Sequence, residues 1–356
     1  MPLSDWRTPV AFAHRWLGVL VGTVFVIAGL TGTALAYAPE LMRALYPVLE
    51  QPLAADWPGA RADVFARIHA AHPGAVELVR FPTDALPAYE VYLADGAQAY
   101  HAPVDGALLF TRAVAGDPLM LAHDLHIHLL AGEAGERLLG WLGLAMLLLL
   151  AVGLWLWWPR RGTWGAVFTR PRNPLRRVQW LWWHKIVGMV SFVLLAFVTA
   201  TGAAIIFYAP TQAVFTALFG GDARVASLPT PTPTGDTDWD AVFATLDATL
   251  PAGRAVFLSP GDALSFRNKM PEELHPNGRS VIRIAHDGAL LSAIDASASA
   301  RGQRMMNALY PLHAGRAGSE LWRAAVAVTG LLPLFFFVTG LYTWLARRRD
   351  AKLNQL

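Results

Sequence analysis

Apolar residues in this chain gather into four long blocks separated by stretches of mixed polarity. Trp16 to Tyr37, Leu138 to Trp158, Ile186 to Tyr208 and Ala324 to Ala346 are each long enough to cross about 30 Å of hydrocarbon at about 1.5 Å per helical residue. No Asp, Glu, Lys or Arg falls in the central portion of any block. The pattern predicts four transmembrane α-helices. Between the blocks the period of the pattern changes. Arg61 to His72 sets Val64, Phe65 and Ile68 at helical spacing, and Trp239 to Leu250 reads the same way. Residues 75–79, Tyr89 to Leu93, Ala255 to Leu258 and Ser280 to Ile284 alternate as strands, with turns at Asp105-Gly106 and Asp287-Gly288. The Pro/Thr-rich stretch from Leu228 to Gly235, with Pro229, Pro231 and Pro233, reads as an extended linker.

Laid end to end, these elements give a helix over 10–38, a small α+β domain over 39–120, an interfacial histidine-bearing segment over 121–137 and a helix over 138–158. A basic loop over 159–183 follows. The order then repeats as a helix over 184–208, a linker and second α+β domain over 209–300, a histidine-bearing segment over 301–323, a helix over 324–346 and a tail over 347–356. The expected fold is therefore a membrane protein of four helices in two tandem repeats, carrying two small α+β domains.

The repeat extends to individual residues. His14 with Gly18 and Thr31-Gly32 recurs as His184 with Gly188 and Thr201-Gly202, at a constant offset of 170 residues. Leu125-His126 with Gly153 and Trp157 recurs as Leu312-His313 with Gly340 and Trp344, at an offset of 187. Four histidines in register on helices that cross the lipid suit two haems, each between two imidazoles: His14 with His184, and His126 with His313. Gly18 and Gly188 lie one helical turn from their histidines and leave room for a flat macrocycle, and Gly18 with Gly22 also suits plain helix packing. Gly32 and Gly202 fall at the depth of the second haem, and Gly153 and Gly340 at the depth of the first. His123 and His128 stand in the same segment as His126 but out of register; they read as interfacial, with either as the alternative ligand to His126 and His123 also placed to act beside it as a supporting group or proton donor. His69, His72, His101, His275 and His286 show no ligand spacing and are expected at the surface. Pro333 is expected as a tolerated kink.

Composition narrows the chemistry. A hydrophobic content of 54% with 15% charged residues excludes an ordinary soluble domain. With no cysteine, disulfides, thiolate-held iron–sulfur clusters and covalently attached c-type haem are excluded, so any haem is b-type. The connection over 159–183 carries Arg160, Arg161, Arg170, Arg172, Arg176 and Arg177 with no acidic residue, and Arg347-Arg348-Arg349 follows the last block. That side reads as cytoplasmic, with both termini inside and both α+β segments outside. Trp155, Trp157, Trp158, Trp182, Trp183 and Trp344 form an aromatic belt there. Topology accounts for the basic residues, so no nucleic-acid partner is expected. The first block is too long for a cleaved signal peptide and is expected to remain as a helix. No Gly-x-Gly-x-x-Gly follows a strand and the inner loop is too short for a flavin domain, so no flavin or nucleotide site is expected.

The order of His-Arg-Trp-Leu-Gly at 14–18, Leu-His at 125–126, Trp-Trp-Pro-Arg-Arg at 157–161, Trp-His-x-x-x-Gly at 183–188 and Leu-His-x-Gly at 312–315 resembles the PepSY-associated transmembrane family, over nearly the whole chain. Members of that family include bacterial inner-membrane ferric-siderophore reductases with two haems and PepSY-like periplasmic domains. The resemblance implies an oxidoreductase with two haem b groups held by His14, His184, His126 and His313. It also implies electron transfer to an external ferric siderophore or other ferric chelate for iron release, and it places the family's outer histidine in Leu-His. The electron donor is then a cytoplasmic reductase or a quinol. Substrate contacts are expected at Arg137, Tyr310 and Arg316. Rival readings are a PepSY regulator of an external peptidase with no haem, a di-haem reductase of a different acceptor, and a transporter component, which the uncharged spans disfavour.

Overall fold

The computed structural model describes residues 6–50, 53, 57–113, 115–159, 163–172, 175–221 and 236–353. Arg160, Arg161 and the Pro/Thr-rich stretch 228–235 lie outside the described residues. In chain order the elements begin with α1 (Arg7–Ala36), α2 (Ala38–Leu45) and α3 (Arg61–Ala71), then strands β1 (Val76–Arg80), β2 (Tyr89–Leu93), β3 (Gln98–His101) and β4 (Leu108–Arg112). Helices α4 (Pro118–His128), α5 (Gly132–Trp157), α6 (Trp164–Phe168), α7 (Arg176–Ile206), α8 (Tyr208–Phe219) and α9 (Trp239–Ala248) follow. The chain continues through β5 (Arg254–Ser259), β6 (Leu264–Lys269), β7 (Ser280–Ile284) and β8 (Leu290–Ile294) to α10 (Arg301–His313) and α11 (Glu320–Leu353).

Four helices, α1, α5, α7 and α11, are long and apolar enough to cross a membrane. Each of α1 and α7 packs against both α5 and α11, closing a four-membered ring. All four run beyond the apolar blocks that predict them: α7 begins at Arg176, inside the expected basic loop, and α5 begins at Gly132, inside the expected histidine segment. Hydropathy marks only the lipid-exposed part of a helix, whereas the hydrogen-bond ladder continues through the interface, where Arg and Trp are at home. Helix α11 passes through Pro333 uninterrupted. Helices α1 and α11 meet closely where Gly29 faces Gly330. A Cβ on Gly29 would lie 2.2 Å from the Gly330 carbonyl oxygen.

All eight strands form one antiparallel sheet in the order β4-β3-β2-β1-β5-β6-β7-β8. The strand sets expected as two separate domains thus share a sheet, joined where Val79 pairs with Leu258 and Arg80 with Phe257. They share a core too. Helix α3 offers Val64, Phe65 and Ile68, and α9 offers Trp239, Val242, Phe243 and Leu246, at the three- and four-residue spacing that puts them on one face. The two helices lie side by side over the joint, with Phe65 5.2 Å from both Trp239 and Phe243 between ring centroids. Apolar residues alternate inward along the strands beneath, including Val79, Val91, Leu258, Phe266 and Ile282. Three hairpins turn on the same tripeptide. Asp95-Gly96-Ala97, Asp105-Gly106-Ala107 and Asp287-Gly288-Ala289 each put glycine at positive φ (+81°, +68°, +84°), while the aspartate Oδ1 accepts from the alanine N–H.

Two of the histidines expected at the surface are buried. His101 is 1% exposed and His275 3%. His101 Nδ1–H donates to the Gly106 carbonyl at 2.8 Å, and its Nε2 lies 3.0 Å from His72 Nε2. His275 stacks on Tyr310 with 5.0 Å between ring centroids, its Nε2 3.0 Å from Arg279 Nη2. Isolated histidines in β-hairpins give no periodic signal of burial, which is why spacing alone misplaces them.

Candidate histidine sites of the helix ring

Strand β4 leads into α4 and strand β8 into α10, and each of these short helices carries a histidine on its last turn. His126 and His313 converge with ring centroids 6.1 Å apart and planes inclined by 34°. His126 Nδ1–H donates to the Ala28 carbonyl of α1 at 2.8 Å, and His313 Nδ1–H donates to the Val198 carbonyl of α7 at 2.9 Å. Each proton is thereby held on Nδ1, which leaves Nε2 with a free lone pair. Thr31 Oγ1 and Thr201 Oγ1 stand 3.4 Å from the same Nδ1 atoms, their own hydroxyls donating back into their helices.

The glycines complete each cradle. A Cβ on Gly32 would lie 2.7 Å from His126 Cε1, and one on Gly202 would lie 2.8 Å from His313 Cε1. Carbonyl, threonine and glycine sit at i, i+3 and i+4 on one helical face, so one turn of α1 or α7 receives the whole imidazole edge.

The same cradle recurs at the end of the ring that bears both termini. His184 on α7 meets Thr339 and Gly340 on α11: Nδ1–H donates to Thr339 Oγ1 at 2.8 Å, the Thr339 hydroxyl in turn donates to the Phe335 carbonyl, and a Gly340 Cβ would lie 3.6 Å from His184 Cε1. His14 on α1 meets α5, where a Gly153 Cβ would lie 3.0 Å from His14 Cε1. Position 152 is valine, so no hydroxyl is offered there. His14 Nδ1 is buried and turned toward the Leu149 carbonyl, four residues before Gly153, without reaching hydrogen-bond geometry. His14 and His184 lie within electrostatic range of each other and make no ring contact. All four rings are half-buried.

A buried polar knot fixes the start of α4. Asp117 caps the helix, its Oδ1 accepting from the Leu119 and Met120 N–H groups at 2.8 Å each. Arg112, the last residue of β4, grips both carboxylate oxygens at 2.8 Å, and the Tyr46 hydroxyl donates to Oδ2 at 2.5 Å. Burial alone would raise the Asp117 carboxyl, but the bonds from Arg112, Tyr46 and the Met120 N–H outweigh it and hold its pKa at about 2. Arg112 also donates to the Tyr100 hydroxyl, which donates to Glu90 at 2.6 Å. Helix α4 then ends with Leu129 and Leu130 at φ of +50° and +61°, and α5 turns away so tightly that a Cβ on Gly135 would collide with the His128 carbonyl.

Gly18, one turn from His14, faces open space, and Gly188, one turn from His184, faces the Phe336 ring at 3.7 Å. His128 Nδ1 pairs with Asp124 at 2.8 Å, on its own helix. Arg137 pairs with Glu133 on the exposed start of α5, Tyr310 stacks on His275, and Arg316 lies in the turn between α10 and α11. Among the described residues no interaction joins these three. Spacing did not single out Thr339, the carbonyls of Ala28 and Val198, or the Arg112–Asp117 knot. Thr-Gly occurs in the apolar blocks at 31–32, 201–202, 329–330 and 339–340, so the dipeptide alone does not single out Thr339.

The family model described as the PepSY-associated TM region matches residues 11–347. No curated protein matches the chain.

Proposed function

The chain belongs to the PepSY-associated transmembrane family, and from that premise we propose that it is a di-haem b oxidoreductase that carries electrons across a bacterial inner membrane to an external ferric complex, a ferric siderophore or similar chelate. The observation that carries this reading is the geometry of His126 and His313. Two imidazoles on opposite sides of one metal, with metal–nitrogen bonds of about 2 Å, have ring centroids about 6 Å apart; these stand at 6.1 Å. Both Nδ1 protons are committed to carbonyls, so the Nε2 lone pairs are left for a metal. Gly32 and Gly202 keep the ring edges free of any Cβ. The residues therefore fit bis-imidazole haem.

His126 and His313 would hold one haem, and His14 and His184 the other. When bound, such a group supplies a reversible one-electron couple at an iron with no open coordination position. The chain's own part is to fix the tautomers of His126, His313 and His184, to exclude water with apolar helix faces, and to hold α4 and α10 against α1 and α7. Positive-inside charge supports cytoplasmic termini and an extracytoplasmic sheet. In this reading the chain is two tandem repeats whose α+β parts are PepSY-like. The donor is a cytoplasmic reductase or a quinol. Movement of an electron outward runs with an inside-negative potential, worth about 2.3 kcal/mol per 100 mV.

The test is a reduced-minus-oxidised optical spectrum of the purified protein with a haem count per chain. Two low-spin b haems are expected, one lost in His126→Ala or His313→Ala and the other in His14→Ala or His184→Ala. A folded, colourless protein grown with ample haem overturns the reading. Reduction of a ferric chelate outside proteoliposomes loaded with reductant tests the substrate.

A further inference from the structure

At the end of the ring that bears both termini, a cavity of about 230 Å³ opens between α1 and α11, lined by Phe12, Arg15, Trp16, Trp344, Arg347 and Arg348. Three guanidinium groups converge there, and among the described residues none has a carboxylate partner. Arg15 spends only its Nε, on the Ala11 carbonyl at 3.1 Å, which leaves its terminal nitrogens free. Arg348 lies over the Trp344 ring at 4.4 Å, and Trp344 meets Trp16 edge-on at 5.2 Å. Lys185 of α7 adds to the same field, standing within electrostatic reach of Arg347 and Arg7. Cations gathered without a counter-charge repel one another, and an anion between them removes that cost.

The surroundings specify the kind of anion. Below the arginines, exposed apolar residues continue along both helices: Trp16, Leu20 and Ile27 on α1, and Leu334, Val338 and Leu345 on α11. Their spacing of four and seven residues keeps each set on one helical stripe. A planar guanidinium matches phosphate with paired N–H donors, tryptophan stands at the headgroup level, and the stripes offer a path for an acyl chain.

We propose that this cavity seats the phosphate of an anionic phospholipid, with its acyl chain lying along the α1–α11 groove. The site does not depend on the haem reading. The full-length protein in nanodiscs of phosphatidylcholine doped with phosphatidylglycerol should retain phosphatidylglycerol preferentially when released into native mass spectrometry. The triple substitution Arg15→Gln, Arg347→Gln, Arg348→Gln should lower that preference about tenfold or more. A control triple, Arg170→Gln, Arg172→Gln, Arg176→Gln, removes as much charge from the same end outside the cavity and should leave the preference unchanged. Equal loss in both triples would mean diffuse attraction and overturn the site, as would full retention in the first. Adducts of inorganic phosphate as abundant as those of lipid would also overturn it. Should the first triple fail to insert, Trp344→Leu decides the same question: it keeps every charge, opens the wall, and should lower the preference about fivefold.

Discussion

At the scale of single residues, the four histidines differ in how their Nδ1 atoms are held, and the difference is testable. His126 and His313 use main-chain carbonyls, His184 uses the Thr339 hydroxyl, and His14 has no partner in hydrogen-bond geometry. A hydrogen bond from Nδ1–H makes Nε2 a better donor to a metal. On the di-haem proposal, Thr339→Val should therefore leave both haems bound but raise the midpoint potential of one of them, whereas Thr31→Val, with the Ala28 carbonyl still in place, should shift nothing; redox titration in the Soret region reads both. On the same proposal, Gly32→Leu should remove one of the two haems, because even a Cβ there lies 2.7 Å from the His126 ring. A pyridine haemochromogen assay gives the ratio. The histidines themselves were legible from their register. The Thr339 contact was not, since the offset that pairs Gly153 with Gly340 sets Val152 opposite Thr339 and so hides the match.

At the scale of elements, α4 depends on its first turn. Asp117 is 3% exposed and its pKa is lowered from 3.8 to about 2, a shift worth about 2 kcal/mol. The folded carboxyl binds its proton less readily than the unfolded one. This stabilisation is thus complete above about pH 4 and is lost as the pH falls toward 2. His275, lowered to about 3 by burial and by Arg279, Arg267 and Lys269, acts over a higher window, losing its contribution as the pH falls from about 6.5 toward 3. Asp117→Asn should flatten the lower part of the acid profile of a fluorescence-monitored melt. It should also cost about 3 to 5 kcal/mol at neutral pH, by leaving Arg112 buried without its partner. Hydropathy and period made the four spans, α3, α9 and half of the strands legible. Strands β3, β4, β6 and β8 escaped because polar residues such as Gln98, Arg112, Asn268 and Ser292 interrupt their apolar runs. The β1–β5 joint escaped because pairing between residues so far apart leaves no local mark.

At the scale of the whole molecule, one sheet rather than two domains has a topological consequence. The hairpin turns at Ala94 and Ala289 belong to the same sheet, so both must lie on one side of the membrane, while Thr169, between α5 and α7, lies on the other. Because the chain has no cysteine, single thiols can be read without background. Ala94→Cys and Ala289→Cys should both react with an impermeant maleimide added outside intact cells, and Thr169→Cys should react only after lysis. Opposite labelling of the first two would contradict the joined sheet. The sheet also ties the distant arms of the chain together, since its outermost strands, β4 and β8, are those that run into α4 and α10.

An acceptor contributed by the main chain survives any codon change at its position. Residues 28 and 198 can therefore drift among small and branched apolar types without untying His126 or His313. Position 339 has no such latitude, because there the acceptor is itself the side chain. A saturation library at these three sites should return a broad spectrum of working variants at the first two and little beyond Ser and Thr at the third.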